Sequence, residues 1–168
     1  MKEIVFLIFA ALLLAAFQRN AVWDNEISLW EDVAKKTPEK ARGNFNLAME
    51  YADKGLYKDA ITRYQKTLSL RAYDYEAHNN LGVLYWGIDR REDAVKEFQL
   101  AIKINQGYGE AHNNLGVAFE EMGMYEKALK EYEIALRIKP DYKQAKSNLL
   151  IVLGKVIRKS GDVMKENQ

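Results

Sequence analysis

The chain has 168 residues, of which 48% are apolar, with 25 basic and 24 acidic side chains, two prolines and no cysteine. Such a composition belongs to an ordered protein, and a net charge of +1 lacks the broad positive footprint of a nucleic-acid binder. The missing thiols exclude disulfides, thiolate zinc sites and cysteine nucleophiles.

The first element is "IVFLIFAALLLAAF", Ile4 to Phe17, fourteen residues without a polar side chain. A helix apolar all round must be buried in lipid or in protein. A bilayer core asks for about 20 apolar residues, which Ala21 to Trp23 could complete across Gln18, Arg19 and Asn20, and signal-peptide h-regions have the shorter length. Residues 1–22 are therefore expected to form an apolar N-terminal helix that acts as a membrane anchor, a signal or an assembly helix, with membrane contact through residues 4–23. Lys2 and Arg19 lie on opposite flanks and leave the orientation open. The expected location is membrane-anchored or exported, with the following residues extracytoplasmic.

Beyond this run the chain repeats itself. "EAHNNLGVLY" at Glu76 to Tyr85 returns as "EAHNNLGVAF" at Glu110 to Phe119, 34 residues later. The period aligns Leu47, Leu81 and Leu115, then Ala48, Gly82 and Gly116, then Tyr51, Tyr85 and Phe119. Downstream in each unit come Ala60, Ala94 and Ala128, then Tyr64, Phe98 and Tyr132, and finally Thr67, Ala101 and Ala135. Within a unit, Leu47, Ala48 and Tyr51 fall at i, i+1 and i+4, and Ala60, Tyr64 and Thr67 at i, i+4 and i+7, so each unit is predicted to be two helices with one apolar face apiece. Small residues let the two backbones approach, and the aromatics fill the space left over. Gly55 and Gly123 occupy the slot that ends a first helix in the left-handed conformation. Asp89 holds that slot in the middle unit and is expected to give a slightly different turn.

These positions resemble the tetratricopeptide repeat (TPR) consensus, W-x2-L-G-x2-Y followed by A-x3-F-x2-A and a closing proline. Units 41–74, 75–108 and 109–142 match it, although Asn44, His78 and His112 replace the tryptophan and only Pro140 keeps the proline. Residues 23–40, with Trp30 and Pro38 in register, read as a degenerate half repeat, and 143–168 as a capping helix with a basic tail. The outer face of that helix is expected to be polar, charged by Lys143, Lys146, Lys155, Arg158 and Lys159. The resemblance implies an all-α fold, a right-handed superhelix of antiparallel helix pairs (a TPR solenoid) carrying the apolar N-terminal helix. Phe17 to Ala48 also resembles the junction in bacterial O-mannosyltransferase-like membrane proteins where the last membrane helix meets the repeats.

Asn46, Asn80, Asn114 and Asn148 recur at the sixth position of successive units. The column resembles the asparagine ladder in the repeat domain of O-linked N-acetylglucosamine transferases, which implies a concave groove where amides hold the backbone of an extended peptide. Phe45, Met49, Asn79, Val83, Trp86, Asn113, Val117, Glu120 and Glu121 are expected to face the same groove. The amides could instead hydrogen-bond between neighbouring repeats or face water, and Trp86 could pack on the next repeat. His78 and His112 fill one repeat slot without a second ligand at i+3 or i+4, so no metal site is read. Glu120–Glu121 and Glu131–Glu133 read as solvated faces, and no phosphate-binding glycine motif is present.

The sequence thus points to a non-enzymatic scaffold without cofactor, binding a protein or peptide segment and held at a membrane. A self-assembling homo-oligomer or filament subunit using the N-terminal helix, or a C-terminal fragment of a glycosyltransferase-like membrane protein, are the alternatives.

Overall fold

The computed structural model describes residues 26–166, and the expected apolar N-terminal helix lies outside them. The described residues form eight α-helices: α1 (Glu26–Lys36), α2 (Ala41–Asp53), α3 (Tyr57–Leu70), α4 (Tyr75–Gly87), α5 (Arg91–Ile104), α6 (Gly109–Glu121), α7 (Tyr125–Ile138) and α8 (Lys143–Glu166). They fall into two compact units, with α1–α3 in Met1–Leu70 and α4–α8 in Arg71–Gln168.

In the first unit α1 packs on α2 across Gly43, where a Cβ would stand 3.1 Å from Val33 Cγ1 and 3.3 Å from the Ala34 backbone. Leu47 and Ala48 of α2 are buried against Ala60, Tyr64 and Thr67 of α3. Phe45 meets the Tyr64 ring edge-to-face at 5.6 Å, a favoured geometry for two aromatic quadrupoles.

The second unit repeats this pairing twice and adds α8. Ala94 and Ala101 of α5, like Ala128 and Ala135 of α7, are fully buried. Glycine on the facing helix makes room for the ring opposite: a Cβ at Gly82 would lie 2.7 Å from Phe98 Cε1, and one at Gly116 2.6 Å from Tyr132 Cε1, so a larger residue would require the ring to shift. Asp74 caps α4 by accepting from the Ala77 amide at 3.1 Å, which satisfies one of the orphan donors of the first turn. Helix α8 closes a small core of Ala128, Tyr132 and Val152, with Leu129 and Leu149 packed against it.

The turn inside each repeat is the same in all three. Gly55, Asp89 and Gly123 have φ of 73°, 61° and 74°. The residue after each donates to the carbonyl five positions back, Leu56 to Tyr51, Arg90 to Tyr85 and Met124 to Phe119, all at 2.8 Å. This is the paired-bond helix stop that a left-handed residue permits. Asp89 therefore makes the glycine turn itself, where the sequence had pointed to a variant of it. Asp is among the few side chains that enter this region at modest cost.

Helix α8 departs from expectation on its outer face. Leu150, Ile151, Leu153 and Ile157 are all exposed there beside the lysines.

Candidate functional site

The paired asparagines of the second unit divide their labour. Asn79 and Asn113, expected to face the groove, are instead buried, 5% and 0% exposed, because one residue of helix rotation, about 100°, separates them from the sixth position. Asn80, Asn114 and Asn148 are half-buried beside them. Asn148 Nδ2 donates to Asn113 Oδ1 at 3.1 Å, and Asn114 Nδ2 donates to Asn79 Oδ1 at 2.9 Å. Longer links join each pair, Asn113 to Asn114 at 3.5 Å and Asn79 to Asn80 at 3.3 Å. The amides thus form one head-to-tail relay running 148, 113, 114, 79, 80, whose short bonds cross from one repeat to the next. Each amide carries two donor hydrogens and two acceptor lone pairs, so the half-buried Asn114 and Asn148 have more bonding positions than these contacts use.

Above the relay, Val83, Trp86 and Phe98 of the α4–α5 pair join Asn114 and Val117 of α6 around a pocket of about 130 Å3. Four of the residues expected in the groove, Val83, Trp86, Asn114 and Val117, are brought together here, and Phe98 was not foreseen. Val83 is 48% exposed, so the pocket is open at its mouth. Trp86 is half-buried and the Arg91 guanidinium lies over its ring at 5.1 Å, while Arg91 Nε is held by Asp89 Oδ1 at 2.7 Å.

Glu120 is less available than its place on α6 implied. It accepts from the Tyr132 hydroxyl at 2.8 Å and from Lys155 Nζ at 2.7 Å, and its side chain is 13% exposed. Burial first, then the Glu120 bond and charge, push the Tyr132 phenol far above its ordinary pKa. The hydrogen bond to Glu120 raises that of Lys155. Glu121 beside it is exposed.

In the first unit Asn46 is half-buried, Phe45 is turned toward Tyr64, and Met49 is exposed. Asn44 is buried and accepts from Arg63 Nη1 at 3.4 Å.

His78 and His112 bind carboxylates that the sequence reading missed. His78 Nδ1 sits 2.6 Å from Glu97 Oε2 and its Nε2 3.1 Å from the Ala72 carbonyl. His112 Nδ1 sits 2.7 Å from Glu131 Oε2. Both groups around His78 only accept, so the doubly protonated ring satisfies both. Burial opposes that charge, yet the bonds to Glu97 and Ala72 and the charges of Glu97 and Asp74 outweigh it and raise the pKa. The signal was available, since a His and a Glu recur 19 residues apart in two consecutive units. No group of three or more His, Asp or Glu side chains that could hold a metal ion occurs among the described residues.

Models of the tetratricopeptide repeat match residues 48–89, 75–108 and 109–142. A crystal structure of MamA is similar over 79% of this chain and 78% of that one, at 31% identity and a TM-score of 0.71. This chain belongs to the tetratricopeptide repeat family. A second MamA structure gives 30% identity over 85% and 79% of the two chains with a TM-score of 0.72. The first TPR domain of RPAP3, bound to the HSP90 peptide SRMEEVD, shares the fold at 24% identity and a TM-score of 0.68, over 70% and 94%. No curated protein matched the sequence. The TPR matches begin at residue 48, so the junction-like segment 17–48 is only grazed by them. Within the TPR frame, the fourth position that the consensus gives to tryptophan is here a polar one, tied to the second helix of its repeat: Asn44 to Arg63, His78 to Glu97, His112 to Glu131.

Proposed function

We propose that this chain is a non-enzymatic scaffold that binds an extended peptide segment on the α4–α6 face, with one aliphatic side chain of the segment in the Val83–Trp86–Val117 pocket. The pocket carries the proposal. Its volume of about 130 Å3 is several times the ~30 Å3 share of a water molecule, and its wall is apolar apart from one amide, Asn114, a group able to pair with a main chain. A mostly apolar cleft with a few oriented polar groups is the usual form of a recognition site, and alternate side chains of an extended segment supply its specificity. Solved TPR domains of RPAP3 hold the HSP90 peptide SRMEEVD and the HSP70 peptide SGPTIEEVD, which supports a peptide ligand.

The test is selection of displayed random peptides on the immobilised full chain, followed by titration of the enriched peptides. Val83→Asp places a carboxylate at an exposed position in the pocket mouth and should weaken binding more than tenfold with little change in stability. Peptides that bind Val83→Asp and Trp86→Ala as well as the parent would refute the assignment. Residues 4–23 would hold the scaffold at a membrane, supported by their fourteen-residue apolar run. Deleting residues 1–20 should then release a soluble, folded monomer without detergent, and ordered detergent-free assemblies of the full chain would count against the anchor.

A further inference from the structure

The outer face of α8 combines exposed apolar side chains with cations. Lys143, Lys146, Leu150, Leu153 and Ile157 follow one another at i, i+3, i+7, i+10 and i+14, so they share a stripe of the helix. Leu150 is 62% and Ile157 69% exposed, while Ala145 and Val152 on the opposite side are fully buried. Single exposed apolar residues are ordinary, but four on one helix face, counting Ile151, form a patch that calls for a partner.

Charge narrows the partner. Between Lys143 and Ser160 the chain has five cations and no acidic residue. Lys155 is committed to Glu120, and Lys159 lies against the Tyr125 ring. Lys143, Lys146 and Arg158 are exposed and flank the apolar patch at both ends. A neutral apolar protein surface would cover the patch without using these cations, and an acidic one would use the cations without covering the leucines. An anionic bilayer takes both at once, with acyl chains at its boundary for Leu150, Leu153 and Ile157 and headgroup phosphates for the lysines and Arg158. No described helix is long and apolar enough to cross a membrane, so the contact is with the surface. We propose that this face of α8 lies on an anionic lipid bilayer, parallel to its plane.

The chain has no cysteine, so Ile157→Cys in the full protein gives one attachment point for a polarity-sensitive fluorophore. A signal at this position reports α8 itself, whatever residues 4–23 do. On vesicles of phosphatidylcholine with phosphatidylglycerol the probe should shift to the blue and be quenched by nitroxide lipids, and on phosphatidylcholine alone it should not. A probe at Tyr73→Cys, 85% exposed ahead of α4, should keep its emission in water. Lys143→Gln with Lys146→Gln should weaken the α8 response about twenty-five-fold, at roughly a factor of five per cation near an anionic surface. A silent probe on anionic vesicles would overturn the proposal, as would an equal response on neutral ones. So would a blue shift that appears without lipid, either with rising protein concentration, which would assign the face to a second copy, or with added polyglutamate, which would assign it to an acidic protein.

Discussion

Asn148→Ala separates a structural amide from a decorative one. Asn148 is half-buried, so its own loss is cheap, but its donor serves Asn113 Oδ1 at 3.1 Å, and Asn113 is 0% exposed. Water cannot replace the lost donor at a buried oxygen, and an acceptor left unpaired there costs about 1–3 kcal/mol. The same substitution in an Asn113→Ala background should cost at most about 0.5 kcal/mol, because the stranded acceptor is gone. The difference between the two measurements is the coupling expected of neighbours in one network, about 0.5–3 kcal/mol. Urea unfolding followed by far-ultraviolet circular dichroism, with the slope checked for constancy across the four variants, gives both numbers. An Asn148→Ala cost that is identical in the two backgrounds would show that the relay bonds contribute nothing, and the asparagine column would return to being a solvated face.

His78 sets a pH dependence with a definite sign. Its folded pKa is raised above 6.5, so its stabilisation is complete below the unfolded value and is lost as pH rises through the folded one. The urea midpoint should fall on the alkaline side of pH 6.5, and Glu97→Gln should flatten that fall. Asp89→Gly should raise the unfolding free energy by a few tenths to about 1 kcal/mol, since glycine takes φ of 61° without a Cβ penalty and the exposed Asp89–Arg91 pair it removes is worth little; a destabilised variant would mean the turn is not strained. Ala94→Leu should cost about 1–3 kcal/mol by overpacking, because Ala94 is fully buried and its carbonyl already stands 3.2 Å from the place of a Gly82 Cβ; parental stability in thermal melts would show that α4 and α5 are not closely paired.

The period of 34 was enough to read the helix pairs, because helix starts at Ala41, Tyr75 and Gly109 and the small residues between them follow from the spacing alone. The pocket was half legible. Val83, Trp86, Asn114 and Val117 share a repeat face and could be grouped from one chain, whereas Phe98 enters from the neighbouring helix, where the pattern marks only a core position. The asparagine pairs were read as one group because a column identifies a slot, not which of two adjacent side chains turns inward. That choice depends on a rotation of roughly 100° which the helix packing settles. The bond from Lys155 to Glu120 spans 35 residues and occurs once, so nothing local marks it, whereas the 19-residue His–Glu spacing recurs in two units and could have been read. The apolar stripe of α8 was visible as letters, but its exposure depends on which helix faces α7.

Leu150 has a consequence for how such an array could evolve. In the repeat register it stands where Ala48, Gly82 and Gly116 stand, and at the two glycines even a single added carbon would fall within 2.8 Å of the ring across the helix pair. A leucine there leaves no room for the alanine-and-aromatic helix that seats on α4 and α6. Duplicating a 34-residue cassette ahead of Lys143 would preserve every packing rule, whereas adding a second helix after α8 would first require losing this side chain. One side chain thereby decides what kind of helix can seat on α8, and Leu150→Gly would restore there the slot that α4 and α6 offer.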